Sequence, residues 1–204
     1  MPNEPVIHVI DDEESIRDSL SFLLETAGFA ARTYESAERF LDQLSDAAPG
    51  CVVTDVRMPE MSGLDLARRL KELGAPMPIV VMTGHADVPL AVEAMKAGVV
   101  DFIEKPFDDE ALLSALRSAL RPSSPSTADD PQRAAVRARI DGLSGREQQV
   151  LEKLVAGRPN KIIAYDLGIS PRTVEVYRAN VMSKMQAGSL SELVRMALSA
   201  EFGV

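Results

Sequence analysis

The sequence sets reactive side chains at the ends of short apolar runs. Val6–Ile10 leads into Asp11-Asp12-Glu13-Glu14. Cys51-Val52-Val53-Thr54 leads into Asp55-Val56-Arg57-Met58-Pro59. The run 79–82 delivers Thr83, and 101–103 delivers Glu104-Lys105-Pro106. If the first two runs are neighbours, Asp11, Asp12 and Asp55 converge. Three carboxylates packed together repel. Such a pocket wants a hard, oxygen-liganded cation such as Mg2+.

The elements that must position these groups follow from the pattern. A short β-branched run suits a strand of a parallel sheet covered on both faces. Met58-Pro59 stops that strand, and Ser62-Gly63-Leu64-Asp65 reads as a capped helix start. Asp55 therefore stands at the carboxyl end of a strand, the edge where open α/β sheets bind ligands. Strands at Val6–Ile10, Ala30–Tyr34, 51–55, 79–82 and 101–103 alternate with helices at 15–27, 36–44, 62–73, Val88–Ala97 and 109–120. Strict alternation predicts a parallel sheet with right-handed crossovers. The expected fold is α/β and flavodoxin-like: a five-stranded parallel sheet in the order 2-1-3-4-5. That order puts strands one and three at the switch point, beneath Asp11, Asp12 and Asp55.

The remaining 80 or so residues read differently. The segment 121–127, Arg-Pro-Ser-Ser-Pro-Ser-Thr, marks a boundary. Asp130-Pro131 opens a helix to about residue 140. Ser144 and Glu147 form a capping box for the next helix, which ends near Gly157. Asn160 reads as the cap of a short helix to Leu167, closed by Gly168. Ser170-Pro171 opens another, to Met185. Two helices joined by a Gly-Ile-Ser turn make a helix-turn-helix. A second capping box, Ser189 with Glu192, starts the last helix. The expected division is 1–121, a partly helical linker at 122–139, and an all-α helix-turn-helix domain at 140–204.

Composition narrows the function classes. The net charge of −9 over 204 residues is uneven. Residues 1–122 hold 11 basic and 22 acidic side chains, −11, while 123–204 hold 11 and 9, +2. Separate partners for the halves are implied. No apolar run approaches the ~18 residues of a membrane span. The start, Met1-Pro2-Asn3-Glu4, does not read as a signal peptide. The single Cys51 suits a reducing cytoplasm and reads as a small buried hydrophobe. Neither His8 nor His85 has a second ligand nearby in sequence, so neither reads as a metal site. No Gly-x-x-x-x-Gly-Lys-Ser/Thr loop is present, so ATP binding through such a loop is not expected.

The acidic pair Asp11-Asp12, the lone Asp55, Thr83 and Lys105-Pro106, in order at successive strand ends, resemble the receiver domains of two-component response regulators. That resemblance implies that Asp55 accepts a phosphoryl group from a sensor histidine kinase, with Mg2+ as cofactor. It implies that Asp12, Asp55 and the backbone carbonyl of Arg57 ligate the metal directly, and Asp11 through water. Lys105 and Thr83 would contact the phosphoryl group, and Phe102 occupies the place of the switching aromatic, which in the family is more often Tyr.

The later string Leu143-Ser144-x-Arg146-Glu147, Asn160-Lys161-x-Ile163-Ala164, Thr173-Val174-Glu175-x-Tyr177-Arg178 and Met182-x-Lys184-Met185 resembles LuxR-type output domains. Tyr177 departs from the family's usual His. Receiver plus output is the NarL/FixJ architecture, and the pattern is most similar to its nitrogen-fixation branch. The implied partners are double-stranded promoter DNA, RNA polymerase and a second copy of the chain on phosphorylation; no membrane is involved. Lys161, Thr173, Arg178 and Lys184 suit phosphate contacts, and Arg172, Glu175, Val176 and Ala179 suit base edges. Ile163 and Val174 read as core. An alternative is a phosphatase with Asp55 as nucleophile. It would need an acid two residues on, where Arg57 stands, and it leaves the helix-turn-helix unexplained. A protein-interaction adaptor would require DNA binding to be absent.

Overall fold

A computed structural model describes residues 5–75, 77–84, 88–121 and 131–203. Pro76, His85 and residues 122–130, which hold all but the first residue of the expected boundary at 121–127, lie outside the described residues. The chain forms two compact units.

The first unit is built on five strands: β1 (Val6–Ile10), β2 (Ala30–Tyr34), β3 (Gly50–Asp55), β4 (Ile79–Thr83) and β5 (Asp101–Glu104). All pair in parallel, in the order β2-β1-β3-β4-β5, as expected. In the chain the strands alternate with α1 (Glu14–Thr26), α2 (Ala37–Asp42), α3 (Gly63–Glu72), α4 (Val88–Ala97) and α5 (Asp109–Ala119), of which α4 belongs for the most part to the second unit. Ile7, Val9, Cys51, Val53, Val80 and Met82 from the strands pack with Leu20, Leu24, Leu112 and Leu116. Each such side chain contributes roughly 1.5–3 kcal/mol by leaving water. Burial pushes the Cys51 thiol up to about 12, so it is an inert core group.

Register decides what leaves the sheet together. Val6 faces Gly50, and Ile10 faces Thr54. Asp11 and Asp55 therefore emerge side by side from neighbouring strands. Gly50 permits the approach: a Cβ there would lie 1.8 Å from the Val6 carbonyl oxygen. One helix differs from expectation. The helix expected over 36–44 stops at Asp42, and a 3-10 turn, Leu44–Asp46, follows. The backbone tightens there to three-residue bonds, Gln43 N–H to Phe40 O and Asp46 N–H to Gln43 O, both 3.1 Å.

The second unit is wholly helical among its described C-terminal elements: α6 (Pro131–Asp141), α7 (Gly145–Val155), α8 (Asn160–Leu167), α9 (Pro171–Met185) and α10 (Leu190–Ser199). Its buried residues include Leu151, Leu154, Ile163, Val174, Val181, Met185 and Leu193. The Ser144–Glu147 capping box is complete. Two expected caps are corrected. Asn160 is the first helical residue of α8, and extended Pro159 flanks it. The Asn160 side chain instead accepts from Arg178 Nη1 at 3.3 Å. At α10, Ser189 accepts from the Glu192 N–H, but Glu192 accepts from the Gly188 N–H, one residue further back.

Candidate functional site

The carboxyl edge of the sheet gathers the reactive groups. Lys105 follows β5, and its Nζ lies 2.7 Å from Asp55 Oδ1 and 3.1 Å from Asp11 Oδ2. One ammonium thus spans carboxylates from two other strand ends. Burial pulls the Lys105 pKa down, but its bonds to Asp55 and Asp11 outweigh this and leave it raised. Lys105 therefore stays charged across the neutral range. Its backbone N–H donates to Thr83 O at 2.7 Å, which ties β4 to β5 at the site. The Lys105–Pro106 bond is cis.

The other Asp55 oxygen, Oδ2, accepts the Arg57 N–H at 2.5 Å. Asp11 Oδ1 accepts the Glu13 N–H at 3.0 Å. Exposure separates the two acids. The Asp11 side chain is 1% exposed and that of Asp55 13%. An incoming electrophile reaches Asp55 more readily.

Asp12 is on the same turn as Asp11 and faces solvent. Among the described residues, no three His, Cys, Asp or Glu side chains cluster closely enough to hold a metal ion. The expected convergence of three carboxylates is thus met for two. Asp12 stands outside the pair that Lys105 bridges. The donor chemistry still fits a hard cation, since two carboxylate oxygens converge on one positive charge. Thr83 ends β4 and is buried; Phe102 lies on β5 and is half-buried. Sequence reasoning missed Gly63. Its Cβ would sit 2.3 Å from the Asp55 carbonyl oxygen, so α3 can start against β3 only with glycine. A glycine directly after the Ser62 cap was the available signal.

In the second unit, α8 and α9 are joined through Gly168, in the left-handed region at φ 65°. Ser170 caps α9 by accepting the Thr173 N–H, and Pro171 takes the first turn. Arg172, Glu175, Val176 and Ala179 share an exposed face of α9. Val176 is 56% exposed, high for a valine and unusual as packing. Lys161 is exposed. The other three expected phosphate residues already have partners. Thr173 Oγ1 bonds Ser170 Oγ at 2.8 Å, Arg178 bonds Asn160, and Lys184 Nζ bonds Glu147 Oε2 at 2.7 Å. Ile163 and Val174 are core, as expected.

Comparison with known proteins bears on both units. Residues 7–117 match the response regulator receiver domain, and 141–197 match the bacterial regulatory proteins of the luxR family. The chain is a two-component response regulator. This regulator is 59% identical to the transcriptional regulatory protein FixJ of Azorhizobium caulinodans, over 98% of its own length and 95% of that protein. It is 55% identical to FixJ of Rhizobium meliloti, over 97% of each. Full-length FixJ of B. japonicum, solved crystallographically, matches with 53% identity and a TM-score of 0.57 over 98% of each chain. Among the described residues, this regulator has no helix long and apolar enough to cross a membrane.

Proposed function

We propose that this chain is a cytoplasmic transcription factor switched by phosphorylation of Asp55. The observation that carries the reading is the Lys105 ammonium shared by Asp11 and Asp55 at the strand edge. A carboxylate is a competent phosphoryl acceptor, giving an acyl phosphate. Asp55 attacks the phosphorus of a phosphohistidine on a sensor kinase; the new O–P bond forms as the N–P bond breaks. Asp12, Asp55 and the Arg57 carbonyl would hold Mg2+ directly, with Asp11 acting through water. When bound, that ion neutralises phosphoryl oxygens. Lys105 then pairs with the arriving group, and Thr83 donates its hydroxyl to it. Movement of Thr83 lets Phe102 turn inward and changes the receiver surface. Arg57 stands where a phosphatase of the alternative class would carry its acid, so self-dephosphorylation is slow.

The output follows the same reading. The receiver spans 1–121, the linker 122–139 and the DNA-binding domain 140–204. Phosphorylation promotes a homodimer, which presents two α9 helices to two promoter half-sites. Arg172, Glu175, Val176 and Ala179 read base edges; Lys161 and Thr173 contact phosphates, joined by Arg178 and Lys184 if their internal bonds open. RNA polymerase is the downstream partner. The identity to FixJ proteins supports nitrogen-fixation genes as targets.

Intact mass after incubation with Mg2+ and acetyl phosphate tests the acceptor. Wild type gains one phosphoryl group and Asp55→Asn gains none. An Asn variant phosphorylated as fast as wild type sinks the assignment. Sedimentation and footprinting, with and without the phosphodonor, test dimerisation and DNA binding.

A further inference from the structure

We propose that Arg17 is a positioning residue for the metal-binding turn, an inference that rests on the Mg2+ reading above. Arg17 is in the first turns of α1, four residues beyond Glu13. Its Nη1 folds back and donates to two successive backbone carbonyls, Asp11 O at 2.8 Å and Asp12 O at 3.0 Å. These are the carbonyls of the two adjacent residues whose carboxylates the metal site needs.

The turn is anchored at Asp11 more than at Asp12. Glu13 is the N-cap of α1 and makes no side-chain cap bond. Asp11 is held at its amide, which donates to Tyr34 O at 3.3 Å, and at its carboxylate, which accepts the Glu13 N–H. Asp12 faces solvent, and its carbonyl is held by Arg17. Fixing both carbonyls fixes the two peptide planes that flank the Asp12 Cα. The direction of its Cα–Cβ bond follows from those planes. Arg17 thereby sets where the exposed carboxylate starts, without touching metal or phosphoryl group. A planar guanidinium with several N–H groups suits this bridging role. Outer-shell groups of this kind are worth roughly 10–100-fold in metal affinity.

The test is calorimetric titration of the full chain with MgCl2. Arg17→Met is expected to raise the Kd about tenfold, while its melting temperature in EDTA holds. Arg17→Lys keeps a donor and falls between the two. A Kd for Arg17→Met within about twofold of wild type overturns the proposal. So does a lower melting temperature with an unchanged Kd, which makes the residue merely structural. If Arg17→Met lacks a folded circular dichroism spectrum, Arg17→Lys decides: a Kd raised about threefold or more supports the role, and an unchanged Kd overturns it. Asp12→Ala separates the two readings. Loss of binding there but not at Arg17 overturns this inference alone. No binding heat in wild type overturns it together with the metal site.

Discussion

Lys184 Nζ lies 2.7 Å from Glu147 Oε2, joining α9 to the start of α7 across 37 residues of sequence. The same carboxylate oxygen accepts the Ser144 N–H at 2.7 Å. Glu147 is 4% exposed. The bond from Lys184, with those from Ser144, pulls its carboxyl pKa down to about 2. A lowered acid pKa gives stability that is present above the ordinary value of 4.5 and lost as pH falls through about 2. Glu147→Ala removes a cap and leaves Lys184 unpaired. It should cost about 1–3 kcal/mol in denaturant melts at pH 7, and the acid-side loss should shrink. Lys184→Met should destabilise too, which a purely DNA-contacting lysine would not do.

His8 offers a second pH test. Its ring is fully buried in β1, with Nε2 at 2.9 Å from Ala48 O and Nδ1 at 3.2 Å from Tyr34 Oη. Nε2–H donates to the carbonyl, and the Tyr34 hydroxyl donates to Nδ1. Phe40 packs beside it. Burial lowers the His8 pKa, the Ala48 bond opposes this, and nearby Arg32 adds to the lowering. The unfolded chain therefore binds more protons below 6.5. Stability is full above that pH and falls as pH drops toward the folded value. Thermal melts should show this slope in wild type and lose it in His8→Phe. An unchanged slope in the variant refutes the assignment.

Gly63 links packing to phosphoryl transfer. Gly63→Ala forces the Asp55 carbonyl or the start of α3 to move, since the added Cβ would lie 2.3 Å from that oxygen. Overpacking of this kind costs about 1–3 kcal/mol. Phosphorylation by acetyl phosphate should slow as well, because Asp55 moves with its backbone. Unchanged stability and rate would mean the two elements separate freely.

Helix α6 packs with the output helices, although the sequence reads it as linker. Val136 and Ile140 are buried, Arg139 Nη1 donates to Met185 O at the end of α9 at 3.1 Å, and Gln148 Nε2 donates to Ile140 O. A fragment from residue 131 should be more stable than one from 141 by about 3 kcal/mol, the burial of two aliphatic side chains. Equal melting temperatures would show α6 to be dispensable.

Much of the fold was legible because it rests on local pattern. The apolar runs, the glycines at 28, 98 and 168 and the serine caps at 36, 62, 144 and 170 act within a few residues. They mark the elements to within a residue or two. The order β2-β1-β3-β4-β5 was legible because alternation and crossover handedness leave few topologies. Some departures go with a partner distant in sequence. Asn160 gave up its capping role and accepts from Arg178; Lys184 and Arg178, free cations in the sequence, have partners on other elements.

The sequence by itself determined which residues stand at strand ends and which helices carry the helix-turn-helix, because period, length and stop residues are local properties. Only the tertiary structure decided that Lys105 would bridge Asp11 and Asp55, that Asp11 would be sealed while Asp55 stayed reachable, and that Arg17 would hold the carbonyls of Asp11 and Asp12. Those outcomes depend on burial and on distances between separate elements. Charge interactions are set by both, and a linear chain specifies neither until it packs.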